Sequence, residues 1–75
     1  MTLYYAKAEI PHGEDTAIVR AFWDKDKGHG ADVVLKTDST IEYLSEPFYT
    51  GSRGGALNRF ATMIRRMVNE IYMEG

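Results

Sequence analysis

Two histidines, His12 and His29, are the side chains of this 75-residue chain best placed to exchange protons near neutral pH. Each lies in a glycine-bearing stretch that reads as a loop, Pro11-His12-Gly13-Glu14-Asp15 and Asp24 to Gly30. Neither stands beside a serine in a nucleophile motif, and the chain has no cysteine, so no thiolate is available. Catalysis needs converging groups, and the supply is too thin for an enzyme to be expected. Asp24-Lys25-Asp26-Lys27-Gly28-His29-Gly30 opens like a calcium loop. Gly28 then stands where a third side-chain ligand belongs, and Leu35 where a glutamate would close the site, so a solvated hairpin loop is expected, with no metal and no cofactor.

Binding chemistry has better candidates. Gly51-Ser52-Arg53-Gly54-Gly55 runs into the start of a helix, where free N–H groups and the helix dipole favour an anion and Arg53 adds charge. The stretch lacks the Lys-Ser/Thr ending of a P-loop and the spacing of a dinucleotide fingerprint, so a flexible helix entry explains it more simply. Farther along, Arg59, Arg65 and Arg66 fall opposite the helix's apolar stripe, with Asn58, Thr62, Met63, Asn69 and Glu70. With Arg53 they are the candidates for following a phosphate backbone, although an ordinary solvated face explains them equally and the pI is about 5.6.

The elements that must position these groups follow from the apolar period. Tyr4, Ala6, Ala8 and Ile10 alternate with Leu3, Tyr5, Lys7 and Glu9, and Ala17, Val19, Ala21 and Trp23 alternate with Ile18, Arg20 and Phe22, which predicts two strands. Setting Ile10 opposite Ala17 brings Ala8 to Val19, Ala6 to Ala21 and Tyr4 to Trp23, so one hairpin register buries both apolar faces. Ala31 to Lys36 reads as a third strand with Val33 and Leu35 facing the core. Residues 39–46 are ambiguous: Ser39-Thr40-Ile41-Glu42 fits a capping box and favours a short helix, while Thr40 to Ser45 also fits a fourth strand. Pro47 is expected to end either element. Leu57, Phe60, Ala61, Ile64, Met67, Val68 and Ile71 recur at spacings of three and four, which predicts an amphipathic helix from about Gly55 to Met73 covering the sheet. The expectation is therefore one α+β domain, residues 1–75: an antiparallel meander of three or four strands with a long C-terminal helix on one face.

That register has a consequence on the face the helix does not cover. It sets Tyr5 opposite Phe22, with Leu3, Ile18 and Val34 nearby, and Lys7, Arg20 and Lys36 among Glu9, Asp24 and Asp32. A two-layer domain should leave this side wet, so aromatics there point to a partner protein, a second copy or stacked bases, unless residues 40–50 fold over them. The expected partner-binding residues are Tyr5, Phe22, Trp23, Lys7 and Arg20.

Composition narrows the setting. Hydrophobic residues make up 44% and charged residues 27%, a globular balance. Residues 1–50 carry five Lys/Arg against nine Asp/Glu, and residues 51–75 four against two, an acidic front and a basic end. The N-terminus lacks a basic segment followed by an apolar run, and no apolar stretch reaches 18 residues, so a cytoplasmic protein without membrane contact is expected, monomeric or homodimeric.

Asp38-Ser39-Thr40, Leu44-Ser45, Phe48-Tyr49, the glycines from Gly51 to Gly55, Leu57, Arg59 and Asn69-Glu70-Ile71 together resemble small phage-encoded anti-CRISPR proteins of the type I-F kind. The resemblance implies a sheet followed by a short and a longer helix. It also implies an inhibitor that grips the repeated backbone subunit of a crRNA-guided surveillance complex in an infected bacterial host and blocks target DNA. Its sheet tyrosines would correspond to Tyr5, with Phe22 or Trp23 as an aromatic replacement. The alternative is a small nucleic-acid-binding domain using the arginine face or the aromatic sheet face.

Overall fold

The computed structural model describes residues 1–74. Four strands, β1 (Thr2–His12), β2 (Asp15–Asp24), β3 (Gly28–Lys36) and β4 (Ile41–Thr50), pair antiparallel in sequence order, and helix α1 (Arg53–Glu74) packs on one face. The α+β meander expected from the sequence is the fold, with the fourth strand present. Two glycines allow the first two turns to be this short: Gly13 at φ 63° and Gly28 at φ 85° occupy the left-handed region that side chains avoid.

β4 replaces the short helix favoured for residues 39–46. Thr37 and Thr40 close a tight turn, in which the Thr37 N–H donates to the Thr40 carbonyl at 3.0 Å and the Thr40 N–H donates to Thr37 Oγ1 at 3.1 Å. Ser39, the cap of the expected box, is drawn into this turn, its N–H donating to Thr37 Oγ1 at 3.4 Å, and Glu42, its intended partner, lies in β4 and pairs with Leu35. Ile41 and Tyr43 then pair with Lys36 and Val34. Pro47 does not end the element: β4 is an edge strand, and its register slips between Ala31↔Phe48 and Val33↔Ser45, so Pro47 sits at a bulge where its missing donor is tolerated. The short helix implied by the resemblance is absent among the described residues, and residues 41–50 form the sheet's fourth strand instead of folding over its open face.

The core lies between the sheet and α1. Ile10, Ala17, Val19, Ala31 and Val33 present it from the strands, and Met63, with half-buried Phe60, Ile64 and Met67, from the helix. The helix is rolled relative to the sequence expectation. Met63, expected on the outer face, is 5% exposed, whereas Leu57, Ala61 and Ile71 of the expected stripe are exposed. The alanines explain the roll: Ala17, Ala21 and Ala31 of the sheet are buried beneath the helix and leave room close to its axis for the long, flexible Met63, and Ala56 is buried on the helix itself.

Gly30 shapes the other face. A Cβ at this position would lie 2.6 Å from the Phe48 carbonyl oxygen and 2.9 Å from the Phe22 ring, because Phe22 pairs with Gly30 and its ring lies across the space a side chain would fill. Gly30→Ala is therefore expected to destabilise the domain by about 1–3 kcal/mol through overpacking. Gly54→Ala, where a Cβ meets nothing within 4 Å, should be neutral or stabilising by up to about 1 kcal/mol. Urea unfolding of the two variants checks both signs.

Candidate binding face

A bulge in β1 decides which aromatics reach the open face. From Ala6↔Ala21 to Ile10↔Ala17 the hairpin register is the one expected, but it shifts between Tyr4 and Ala6, so Tyr4 pairs with Phe22 and Leu3 with Trp23. Tyr5 is the extra residue and turns to the helix side. There its hydroxyl lies 3.1 Å from His29 Nδ1, and the Arg53 guanidinium stacks 4.9 Å from its ring centroid. Burial raises the Tyr5 phenol above its ordinary pKa of 10.0, partly offset by the charge of Arg53. The expected open-face pair of Tyr5 and Phe22 is thus corrected to Tyr4 and Phe22, and Leu3 joins Trp23 on the helix side.

Phe22 is not exposed either. It is 3% exposed, enclosed edge-on by Tyr4 and Tyr49, each with ring centroids 5.8 Å away, and seated over Gly30. Ile18 and Val34 on the same face are buried as well, with no layer above them. Long neighbours provide the cover. Arg20 donates through Nε and Nη2 to both carboxylate oxygens of buried Asp32, each at 2.7 Å, and its guanidinium lies 4.6 Å from the Tyr4 ring centroid. The Asp32 hydrogen bonds are the main cause of the raised Arg20 pKa, with burial opposing them and the Asp32, Tyr4 and Tyr43 charges adding to the rise. This clamp fixes the centre of the face, and around it Tyr4, Tyr43 and Tyr49 remain open, Tyr43 at 62% and Tyr4 at 50%.

Charges of both signs meet on this face. Lys7, Arg20 and Lys36 stand among Glu9, Asp24 and Asp32 on the strands, and Lys27 reaches in from the β2–β3 turn with its ammonium 5.4 Å from the Tyr49 ring centroid. Of the residues expected here, Lys7 and Arg20 are in place, Phe22 is a support under the surface, and Tyr5 and Trp23 belong to the other side. Tyr43 and Tyr49 were missed because they lie where a helix or a covering loop was expected. Asp32 was placed on the face by its strand parity, but its pairing with Arg20 was not. The Arg20↔Asp32 partnership across β2 and β3 is the signal that could have found it, once the third strand's register was fixed by Val19↔Val33.

Asp24 closes one end of the face. Its carboxylate accepts from Thr2 Oγ1 at 2.8 Å and from the N–H groups of Asp26 and Lys27 at 2.8 and 3.0 Å, which hold it below its ordinary pKa of 3.8. Its oxygens therefore shape the β2–β3 turn, where a calcium loop would have them point at an ion. A carboxylate with a depressed folded-state pKa stabilises above its unfolded pKa, and that stability disappears as pH falls through the folded value. Asp24→Asn is accordingly expected to flatten the fall of melting temperature below pH 3.8, measured by thermal melts down the acid limb.

The arginines do not form one track. Arg53 is engaged with Tyr5, and Arg59 is half-buried with its guanidinium 4.9 Å from the Phe48 ring centroid and its Nε unpartnered. Arg59 and Arg66 border a cleft of about 320 Å³ between α1 and β4, lined also by Leu44, Met63 and Met67, while exposed Arg65 lies on a different side of the helix. At the start of α1 the Gly55 N–H is already satisfied by Ser52 Oγ at 3.0 Å, so the glycine-rich segment works as a helix cap. Among the described residues no group of three metal-ligating side chains gathers, and no helix is long and apolar enough to cross a membrane. Compared with protein-family models, curated proteins and solved structures, the chain matches none.

Proposed function

We propose that this chain is a binding protein without catalytic activity, which works by laying the open sheet face onto a protein partner. The observation that carries the reading is the set of exposed tyrosines, Tyr4, Tyr43 and Tyr49, held around the Arg20–Asp32 clamp. Tyrosines offer large, rigid contact area at little cost in side-chain entropy, and clustering around a fixed centre is typical of the residues that dominate interfaces. Charge favours protein over nucleic acid. A phosphate-tracking surface needs a run of free cations, whereas on the tyrosine face Arg20 is bound to Asp32 and Lys7, Lys27 and Lys36 stand among Glu9 and Asp24.

The narrower version is an inhibitor from a phage or mobile element that occupies a host defence complex. It draws on the resemblance of residues 38–71 to anti-CRISPR proteins, and on sheet tyrosines being the gripping residues in that family, here Tyr4 in place of Tyr5. The test is direct: purified type I-F surveillance complex is titrated with the protein before target DNA is added. The inhibitor reading expects loss of DNA binding at a fixed stoichiometry. Unchanged DNA binding at saturating protein rejects that partner, and leaves the broader reading to the tyrosine variants considered below.

A further inference from the structure

Two arginines without an acceptor border the cleft between α1 and β4, on the side of the sheet opposite the tyrosines. The floor of the cleft is apolar: Val33 and Met63 are buried, Met67 is half-buried beside them, and Leu44 is 44% exposed at the edge. Arg59 and Arg66 lie two helical turns apart, about 10 Å along one flank of α1, with Met63 between them. Arg59 Nε is buried and has no hydrogen-bond partner, and the guanidinium lies against the Phe48 ring, which offers it no oxygen. Arg66 is exposed. The ion pair found among the described residues is Arg20–Asp32, so Glu70, whose carboxylate also borders the cleft, holds neither arginine. In a chain of net charge −2 the cleft thus gathers two unpaired guanidinium groups against one carboxylate.

We propose that this cleft binds a small aliphatic carboxylate, its head taken by Arg59 with Arg66 adding to the attraction, and its chain lying along Val33, Leu44, Met63 and Met67. Three observations select this occupant. A buried guanidinium nitrogen without an acceptor is destabilising, and a carboxylate matches the planar N–H fork of arginine. The apolar floor would be left unfilled by a bare inorganic anion, whereas its two methionines are flexible, polarisable side chains that adapt to an unbranched hydrocarbon. The volume of about 320 Å³ lies at the lower end of small-molecule sites and leaves no room for a helix of another protein, which is about 10 Å across. The site is separate from the tyrosine face, so it stands or falls independently of the partner held there.

A titration of the full chain, labelled with 13C at its methionine methyl groups, tests this with octanoate as the probe. The Met63 and Met67 signals are expected to move together and reach half-saturation at about 1 mM or below, while Met1, 84% exposed at the start of the chain, stays in place. 1-Octanol, with the same chain and no charge, should move them far less at equal concentration. Arg59→Gln should weaken octanoate binding at least about tenfold, the loss of one charge-assisted contact, and Arg66→Gln, at an exposed position that cannot disturb the fold, should weaken it by a smaller factor. Leu44→Glu, which sets a negative charge at the edge of the cleft, should abolish binding, and Tyr43→Ala on the opposite face should leave it unchanged. Met63 and Met67 signals that stay in place at about 10 mM octanoate overturn the proposal. So does 1-octanol matching octanoate, or an affinity unchanged in both arginine variants, since either would leave an apolar groove that does not recognise an anion.

Discussion

Arg20→Ala is expected to cost the domain about 3–5 kcal/mol, because it leaves the Asp32 carboxylate buried with no counter-charge. Against a total stability of about 5–15 kcal/mol for a domain, that loss brings the variant close to unfolding. The cause is desolvation and not simply the attraction of two charges. Asp32 sits in the middle of the sheet, flanked by β2 and β4, and Arg20 supplies two charge-assisted hydrogen bonds in one planar contact. Replacing both partners, as in Arg20→Met with Asp32→Leu, removes the stranded charge and should recover most of the loss. Lys7→Ala, which removes an exposed neighbour of the same charge, should stay within about 0.5 kcal/mol of wild type. Urea titrations of the four proteins decide the matter. A loss below about 1 kcal/mol for Arg20→Ala would mean that water reaches Asp32 and that the clamp does not hold the face.

The second large effect is on binding. Tyr4→Ala and Tyr43→Ala should each weaken the partner complex at least tenfold, and together about a hundredfold or more, since anchoring tyrosines commonly contribute about 2 kcal/mol apiece. Both side chains are at least half exposed and Tyr43 is on the edge strand, so neither replacement should unfold the domain. Tyr5→Ala is the informative contrast. Tyr5 lies between Arg53 and His29 on the helix side, so its loss should lower stability while leaving affinity nearly intact. Changing Arg65 and Arg66 together should reduce affinity by less than either tyrosine variant. The opposite ranking would place the site on the helix and favour nucleic acid or an acidic partner.

Much of this architecture can be read from alternation and helical spacing, and the failures have specific physical causes. The hairpin register from Ala6 to Ile10 follows from matching apolar faces, which a slip of one residue would have inverted. The bulge at Tyr5 leaves no such mark. Leu3-Tyr4-Tyr5-Ala6 contains an apolar or aromatic residue at every position, so its pattern tolerates an extra residue, and which tyrosine faces outward is settled only by contacts with His29 and Arg53. β4 was obscured for a related reason. Ser39-Thr40-Ile41-Glu42 satisfies a local helix signal, and only the non-local pairing of Ile41 and Tyr43 with β3 outweighs it. The roll of α1 reflects the alanines of β2 and β3, whose effect on helix position no helix-only pattern contains. Which side of the sheet the helix leaves open follows from strand parity, but the tyrosines exposed there depend on a bulge and on an edge strand, the two features that periodicity resolves least well.

The central claim, that the tyrosine face holds a protein, is tested most directly by one affinity capture from a nuclease-treated bacterial lysate. Wild-type protein, the Tyr4→Ala/Tyr43→Ala variant and the Arg65→Ala/Arg66→Ala variant are immobilised in equal amounts, and the bound proteins are quantified. The account predicts a stoichiometric protein partner retained by the wild type and the arginine variant and lost from the tyrosine variant, with nuclease making no difference. A partner that the tyrosine variant still holds, or one that disappears when nucleic acid is digested, would contradict it.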